Sequence, residues 1–194
     1  ADLLAQAASA SVVDVDEMAL GLANVGGTAK AAGVDFDELT QTVGLIIPNF
    51  SSAADAGTAL KTFISNLQPT TKPATEAMKE LGLYTEETGS VFYDAQGNFV
   101  GMEQAAALLK DATVDLSEAQ LVQKLTTIFG SDAIRAAQKI AEEGAEGFNA
   151  FGVSMRQAGS SAEIAAKMNQ GYDASMKALK GSIETVQIVI GTAL

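Results

Sequence analysis

The chain has no cysteine, no histidine and no tryptophan. Without cysteine there is no disulfide and no thiolate nucleophile or ligand. Without histidine no imidazole can serve as a base, a proton shuttle or a metal ligand. The serines therefore have no histidine to activate them, and a Ser–Lys pairing has nothing in its favour. Aromatic residues are only 6% of the chain, and there are three prolines. No run of about 18 apolar residues could cross a membrane as a helix, and no secretory signal pattern is visible. The chain opens on Ala1, with Asp2, Leu3 and Leu4 already helical in pattern, so both ends read as cuts through a longer protein.

Positive charge is scarce as well. Twelve Lys and Arg face 24 Asp and Glu, a net charge of −12. Residues 1–103 hold 14 acidic and 4 basic side chains; residues 104–194 hold 10 and 8. An acidic surface repels phosphate, and the few basic residues are not interleaved with aromatics. Sequence-specific nucleic-acid binding is therefore not expected.

What is present is alanine, within a hydrophobic content of 47% over 194 residues. That favours helices packed closely through small side chains. The expected fold is all-α, with a multi-helix core over residues 1–160, one small β-hairpin near residues 91–100, and a long C-terminal helix over residues 161–194. The hairpin is the exception to a helical chain. In LGLYTEETGSVFYDAQGNFV, residues 81–100, Val91, Phe92 and Tyr93 favour strand. Residues 94–98 (DAQGN) form a turn cluster, and Glu86 to Gly89 break the chain before it. A lone hairpin is marginal in water, so this one must rest on helices.

Two stretches repeat one another: VDVDEM at residues 13–18 and VDFDEL at residues 34–39. Each pairs an Asp with a Glu three positions on, the spacing of a capping box, which predicts helix starts near Asp14 and Asp35. Gly26 and Gly27 should weaken the first helix, Gly33 should stop it, and Pro48 should end the second. Further helices are expected over residues 55–67, 74–81, 102–112 and 133–143. Another helix should follow the capping box Ser117–Gln120, and a short one should carry Phe148 and Phe151. In residues 55–67, Leu60, Phe63, Ile64 and Leu67 share one face. Ser160 and Glu163 make a last box. The helix it opens carries Met168, Tyr172, Met176, Leu179, Ile183, Val186 and Ile190. From Met176 the spacing is that of a heptad, so Met176, Leu179, Ile183, Val186 and Ile190 form a candidate self-association seam. Ordinary packing of an amphipathic helix on its own domain is the other reading.

No constellation points to chemistry. The D-x-D-E clusters lack the glycine and spacing of a calcium loop, and helix capping accounts for them. Residues 94–98 lack a following ligand series. Glu86–Glu87 and Glu142–Glu143 are adjacent pairs whose side chains diverge on a helix, unlike the carboxylates of a glycosidase. Residues 26–30 (GGTAK) are not a phosphate loop. No catalytic residue, metal ligand or cofactor is assigned, and the chain reads as a non-enzyme.

The order of the segments carries more. VDFDELTQTVGL (residues 34–45), AGTALK (56–61), the linker at 69–73, KELG (79–82), FYDAQGN (92–98), IFGSDA (128–133) and the helix from residue 162 to 179 occur in sequence. Taken together they make the chain, over nearly its whole length, similar to the core region of the tail tape measure proteins of long-tailed bacteriophages and prophages. The apolar ending ETVQIVIGTAL departs from that pattern. The resemblance implies a long, mainly helical protein in the lumen of the virion tail tube, present in the host cytoplasm during assembly. It would help set tail length and leave ahead of the genome at ejection. The implied partners are tail-tube subunits, tail-tip or baseplate proteins, tail assembly chaperones and other copies of the chain. Two other readings stand beside it. One is a secreted helical effector or translocator acting at a membrane, although residues 186–194 are too short an apolar segment to span. The other is a non-catalytic part of a peptidoglycan hydrolase.

Overall fold

The computed structural model describes residues 2–159 and Glu163. Within them lie eight α-helices: α1 (Asp2–Ser11), α2 (Val15–Ala32), α3 (Phe36–Ile46), α4 (Ala53–Ser65), α5 (Lys72–Glu80), α6 (Met102–Thr113), α7 (Glu118–Phe129) and α8 (Ile134–Gln157). The protein is mainly α, as its composition implies. A short 3-10 turn, Ile47–Asn49, carries Pro48 after α3.

The expected starts and stops are largely where the sequence puts them. Asp14 and Asp35 occupy the N-cap positions of α2 and α3. Gly33 ends α2 in a left-handed conformation, φ 82°. The box at Ser117 is complete. Its hydroxyl accepts from the Gln120 amide, while the Gln120 side chain accepts from the Ser117 N–H at 3.0 Å. Gly144 breaks α8 with φ 59° and ψ −161°. Gly26 and Gly27 do not break α2, which runs through both; their Cα positions face open space. Ser131 and Asp132 do not cap α8, whose N-cap is Ala133 with no side-chain bond. Their side chains meet each other instead, at 3.4 Å.

Two small antiparallel turns lie between α5 and α6. The regular strands are β1 (Tyr84–Thr85) and β2 (Gly89–Ser90), with Tyr84 opposite Ser90. They flank Glu86 to Thr88, the stretch that reads as a break. The expected hairpin near residues 91–100 follows as an antiparallel bridge, Tyr93 to Phe99, reinforced by the edge-on packing of their rings. On either side of it the Val100 N–H donates to the Phe92 carbonyl at 3.1 Å and the Asp94 N–H to that of Asn98 at 2.8 Å, while the Phe92 side chain is wholly inside the core.

Small residues set how the helices meet. α2 and α4 make the most intimate pair in the fold. A Cβ added to Gly57 would lie on the carbonyl of Gly21, and one added to Gly21 would stand 2.7 Å from the Ala53 oxygen. The obstructing atoms are backbone and cannot move aside, so only glycine permits this crossing. α6 and α8 form the second close pair. α6 buries Ala105, Ala106 and Leu109, and α8 buries Ala136, Ala137 and Ile140. Phe63 of α4 and Phe129 at the end of α7 stack at 4.6 Å between ring centres, joining the early and late parts of the core.

Candidate functional site

The candidate seam, Met176, Leu179, Ile183, Val186 and Ile190, lies outside the described residues, as does the box at Ser160. The sequence-derived features that can be located are the two acidic repeats, the loop at residues 94–98 and the two Glu pairs.

In the acidic repeats each Glu turns away from its own helix start. Glu17 Oε1 accepts from the Ala53 amide at 3.3 Å, at the first residue of α4. Glu38 sits at the start of α6, where a Cβ on Gly101 would stand 2.9 Å from its Oε1 and the Met102 amide draws its carboxyl down. Both carboxylates therefore sit on the positive end of a distant helix, where free N–H groups and the dipole favour an anion. α6 needs this, since its N-cap is Gly101, φ 97°, which has no side chain to offer. Burial pushes the Glu38 carboxyl above its ordinary range. The Met102 bond opposes the shift, and the nearby charges of Asp35 and Glu103 add to it.

Asp94 organises the loop at residues 94–98. One carboxylate oxygen accepts from the Gln96 and Asn98 amides at 2.9 and 2.8 Å, and the other accepts from the Asn98 side chain at 3.0 Å. The Asn98 side-chain and backbone bonds hold its carboxyl below the usual range. All of its oxygen capacity is turned inward to its own loop. Beside it is an open groove of about 550 Å³, lined by Gln68, Glu87, Thr88, Ser90, Tyr93 and Asp94. Burial raises the Tyr93 hydroxyl.

The Glu pairs are engaged by lysines. Lys79 bridges Glu76 at 3.2 Å and Glu86 at 2.5 Å, and its ammonium is held above its ordinary range, chiefly by the Glu86 bond. Lys139 meets Glu143 at 2.5 Å and Glu142 at 3.6 Å, and the Glu143 bond raises it likewise. Solvent screening leaves such surface pairs little net contribution. Among the described residues no buried side-chain polar atom lacks a partner, and no group of three or more His, Cys, Asp or Glu could hold a metal ion. No described helix is long and apolar enough to cross a membrane.

The arrangement is that of a scaffold built from turns, caps and close helix contacts. Comparison with known proteins agrees. The family described as phage-related minor tail protein matches residues 1–130, about two thirds of the chain. The chain belongs to that family.

Relatives of this minor tail protein chain extend the match. It is 25% identical over 191 residues to the tape measure protein of Pneumococcus phage Dp-1, covering 98% of the chain and 16% of that relative. It is 28% identical over 192 residues to the probable tape measure protein of Escherichia phage P2, covering 95% of the chain and 22% of that relative. The chain thus spans less than a quarter of the length of either relative. No solved structure shows a significant match. Family membership supports a structural role in a phage tail.

Several of the pieces that carry the resemblance, among the described residues, have mechanical work in the minor tail protein fold. AGTALK brings Gly57 to the α2–α4 crossing. IFGSDA brings Phe129 onto Phe63, and the Phe129 carbonyl accepts from the Asn66 side chain at 2.9 Å. KELG supplies Gly82 with φ 71° after α5. In VDFDELTQTVGL, a Cβ on Gly44 would stand 2.7 Å from the Phe151 ring. Sequence reasoning missed the long reach of Glu17 and Glu38 and the contact at Gly21 and Gly57. A Glu three residues after a cap looks the same in sequence whichever helix it serves. A glycine inside a helix reads as weakness until its neighbour is known.

Proposed function

We propose that this chain is the helical core region of a tape measure protein, a structural part of the tail that helps set its length during assembly and leaves the tube at genome ejection. The observation that carries this reading is the match to two tape measure proteins over nearly the whole chain. The family pieces among the described residues that engage in packing or turning, at Gly44, Gly57, Gly82 and Phe129, support it. In this reading the protein works in the tube lumen after assembly in the host cytoplasm. Tail-tube subunits, tail-tip or baseplate proteins and assembly chaperones are its partners, and the region has no catalytic role. The acidic, alanine-rich surface gives DNA little to hold, which suits a protein that shares a channel with a genome.

Duplicating the segment that encodes these 194 residues within the phage gene tests the reading while leaving one copy intact. Helix rise sets an upper bound of about 290 Å on the added tail length. Longer tails in electron micrographs are the expected result, and tails of unchanged length would overturn it.

We further propose that residues 161–194 form a distinct C-terminal segment that associates with other copies through Met176, Leu179, Ile183, Val186 and Ile190. Light scattering on the chain with and without residues 162–194 should show an oligomer that truncation abolishes. A monomer in both cases would remove self-association from this region.

A further inference from the structure

α1 and α2 end in the same turn. At the end of α2 the Gly33 N–H bonds the Lys30 carbonyl at 3.2 Å and the Val34 N–H bonds that of Ala29 at 2.9 Å. At the end of α1 the Val12 N–H bonds the Ser9 carbonyl at 3.4 Å and the Val13 N–H bonds that of Ala8 at 3.0 Å. Both are Schellman caps, and both lead after one valine into an aspartate N-cap and a D-x-D-E run. The pivotal residue is glycine in one and valine in the other. Val12 is the one non-glycine residue with positive φ among the described residues, at 58°. A β-branched side chain there is an outlier, because its Cβ crowds the following carbonyl. Burial does not offset this, since Val12 is 90% exposed.

The helix held by this strained turn packs on α2, α3 and α8 through small side chains. α1 fully buries Ala5, Ala7, Ala8 and Ser11, and its larger Leu3 and Leu4 are only partly covered. The start of α2 adds no side-chain bond at Asp14, whereas Asp35 accepts from the Asp37 amide at 2.8 Å. Nothing between Ser11 and Asp14 forbids a helix, for none of the four residues is glycine or proline. A helix running straight through would align Leu4, Ala8, Ser11, Val15, Met18, Leu22, Val25 and Ala29 at alternating spacings of 4 and 3. The apolar stripe of α2 thus already continues in register on α1. In the bent form Val15 is its gap, 44% exposed between buried Ser11 and Met18.

We propose that the turn at Ser11–Asp14 is a hinge poised to straighten, converting α1 and α2 into one helix over residues 2–32. The strain at Val12 lowers the cost of leaving the bent form, and the stripe completed by Val15 rewards the straight one. The hinge follows from the turn itself and is independent of the role in the tail.

The full chain is suited to a distance measurement because it has no native cysteine. Spin labels on Asp2→Cys and Ala31→Cys would stand about 44 Å apart in a straight helix. Electron–electron double resonance should show a population at that distance beside a shorter one. Val12→Gly, which relieves the left-handed strain, should deplete the long population about tenfold. Asp14→Ala, which puts the best helix former where a straight helix has an interior position, should enrich it about threefold. Melting curves establish that each variant is folded. A single shorter distance in all three proteins, or long populations that do not rise in the order Val12→Gly, native, Asp14→Ala, overturns the hinge.

Discussion

At Gly33 the chain turns without strain, and Asp35 places its carboxylate on the Asp37 amide, so α3 starts on a closed cap. At Val12 the same turn is made by a residue that resists it, and Asp14 adds no side-chain bond. The Glu of each repeat reaches another helix, Glu17 to α4 and Glu38 to α6. The second copy is thus fixed at its turn. The first is fixed away from its turn, where α2 crosses α4 at Gly21 and Gly57. Near-identical sequence can therefore build one rigid joint and one loaded joint, and a single side chain at the left-handed position decides between them.

The comparison breaks most completely at the crossing. Gly57→Ala puts a methyl group against an immovable backbone and should cost about 3 kcal/mol in chemical denaturation, by overpacking. If the loss is below about 1 kcal/mol, the crossing does not anchor the first copy. Gly33→Val would give the second turn the strain of the first. It should destabilise by about 1–2 kcal/mol, read from the shift in thermal or urea midpoint.

The borrowed caps come next. Glu38→Ala and Glu17→Ala each leave amides at the start of another helix without their partner and should cost about 1 kcal/mol. Glu38→Gln keeps an acceptor for Met102 and should be nearly neutral at pH 7. Because burial raises the Glu38 carboxyl, its contribution is fully present below the ordinary carboxylate range. It is lost as pH rises through its folded value. The native chain should therefore gain on Glu38→Gln as pH falls through that window, which matched denaturation series at several pH values would show. The smallest effect lies outside both repeats. Asp94 is depressed, so its ordering of the loop persists above the usual range and is lost only as pH falls below it. Amide exchange at Gln96 and Asn98 should quicken there and not before.

Local devices were readable from sequence. Ser117 and Gln120 form their box because both partners lie within one turn, and Gly33 stops α2 because only its own backbone is involved. Leu60, Phe63, Ile64 and Leu67 are buried as their spacing requires. What depends on a neighbour was not readable. Val91 to Tyr93 have strand propensity and do turn back at Tyr93 and Phe99, but the regular strand pair, Tyr84–Thr85 with Gly89–Ser90, gives no such signal. Gly26 and Gly57 look alike in sequence; one faces open space and the other faces a backbone. The candidate seam follows a legible heptad but lies beyond the described residues.

The reach of Glu38 also bears on how the chain folds. Gly101 gives α6 no side-chain cap of its own, so its first amides face water until a much earlier helix has docked beside them. The last increment of stability in that first turn therefore follows closure of a long loop, which couples it to α3. In pulse-labelling exchange the amides at the start of α6 would gain protection in step with α3 rather than with the nearer α5. The N-terminal helices would then act as the template on which the later ones are finished.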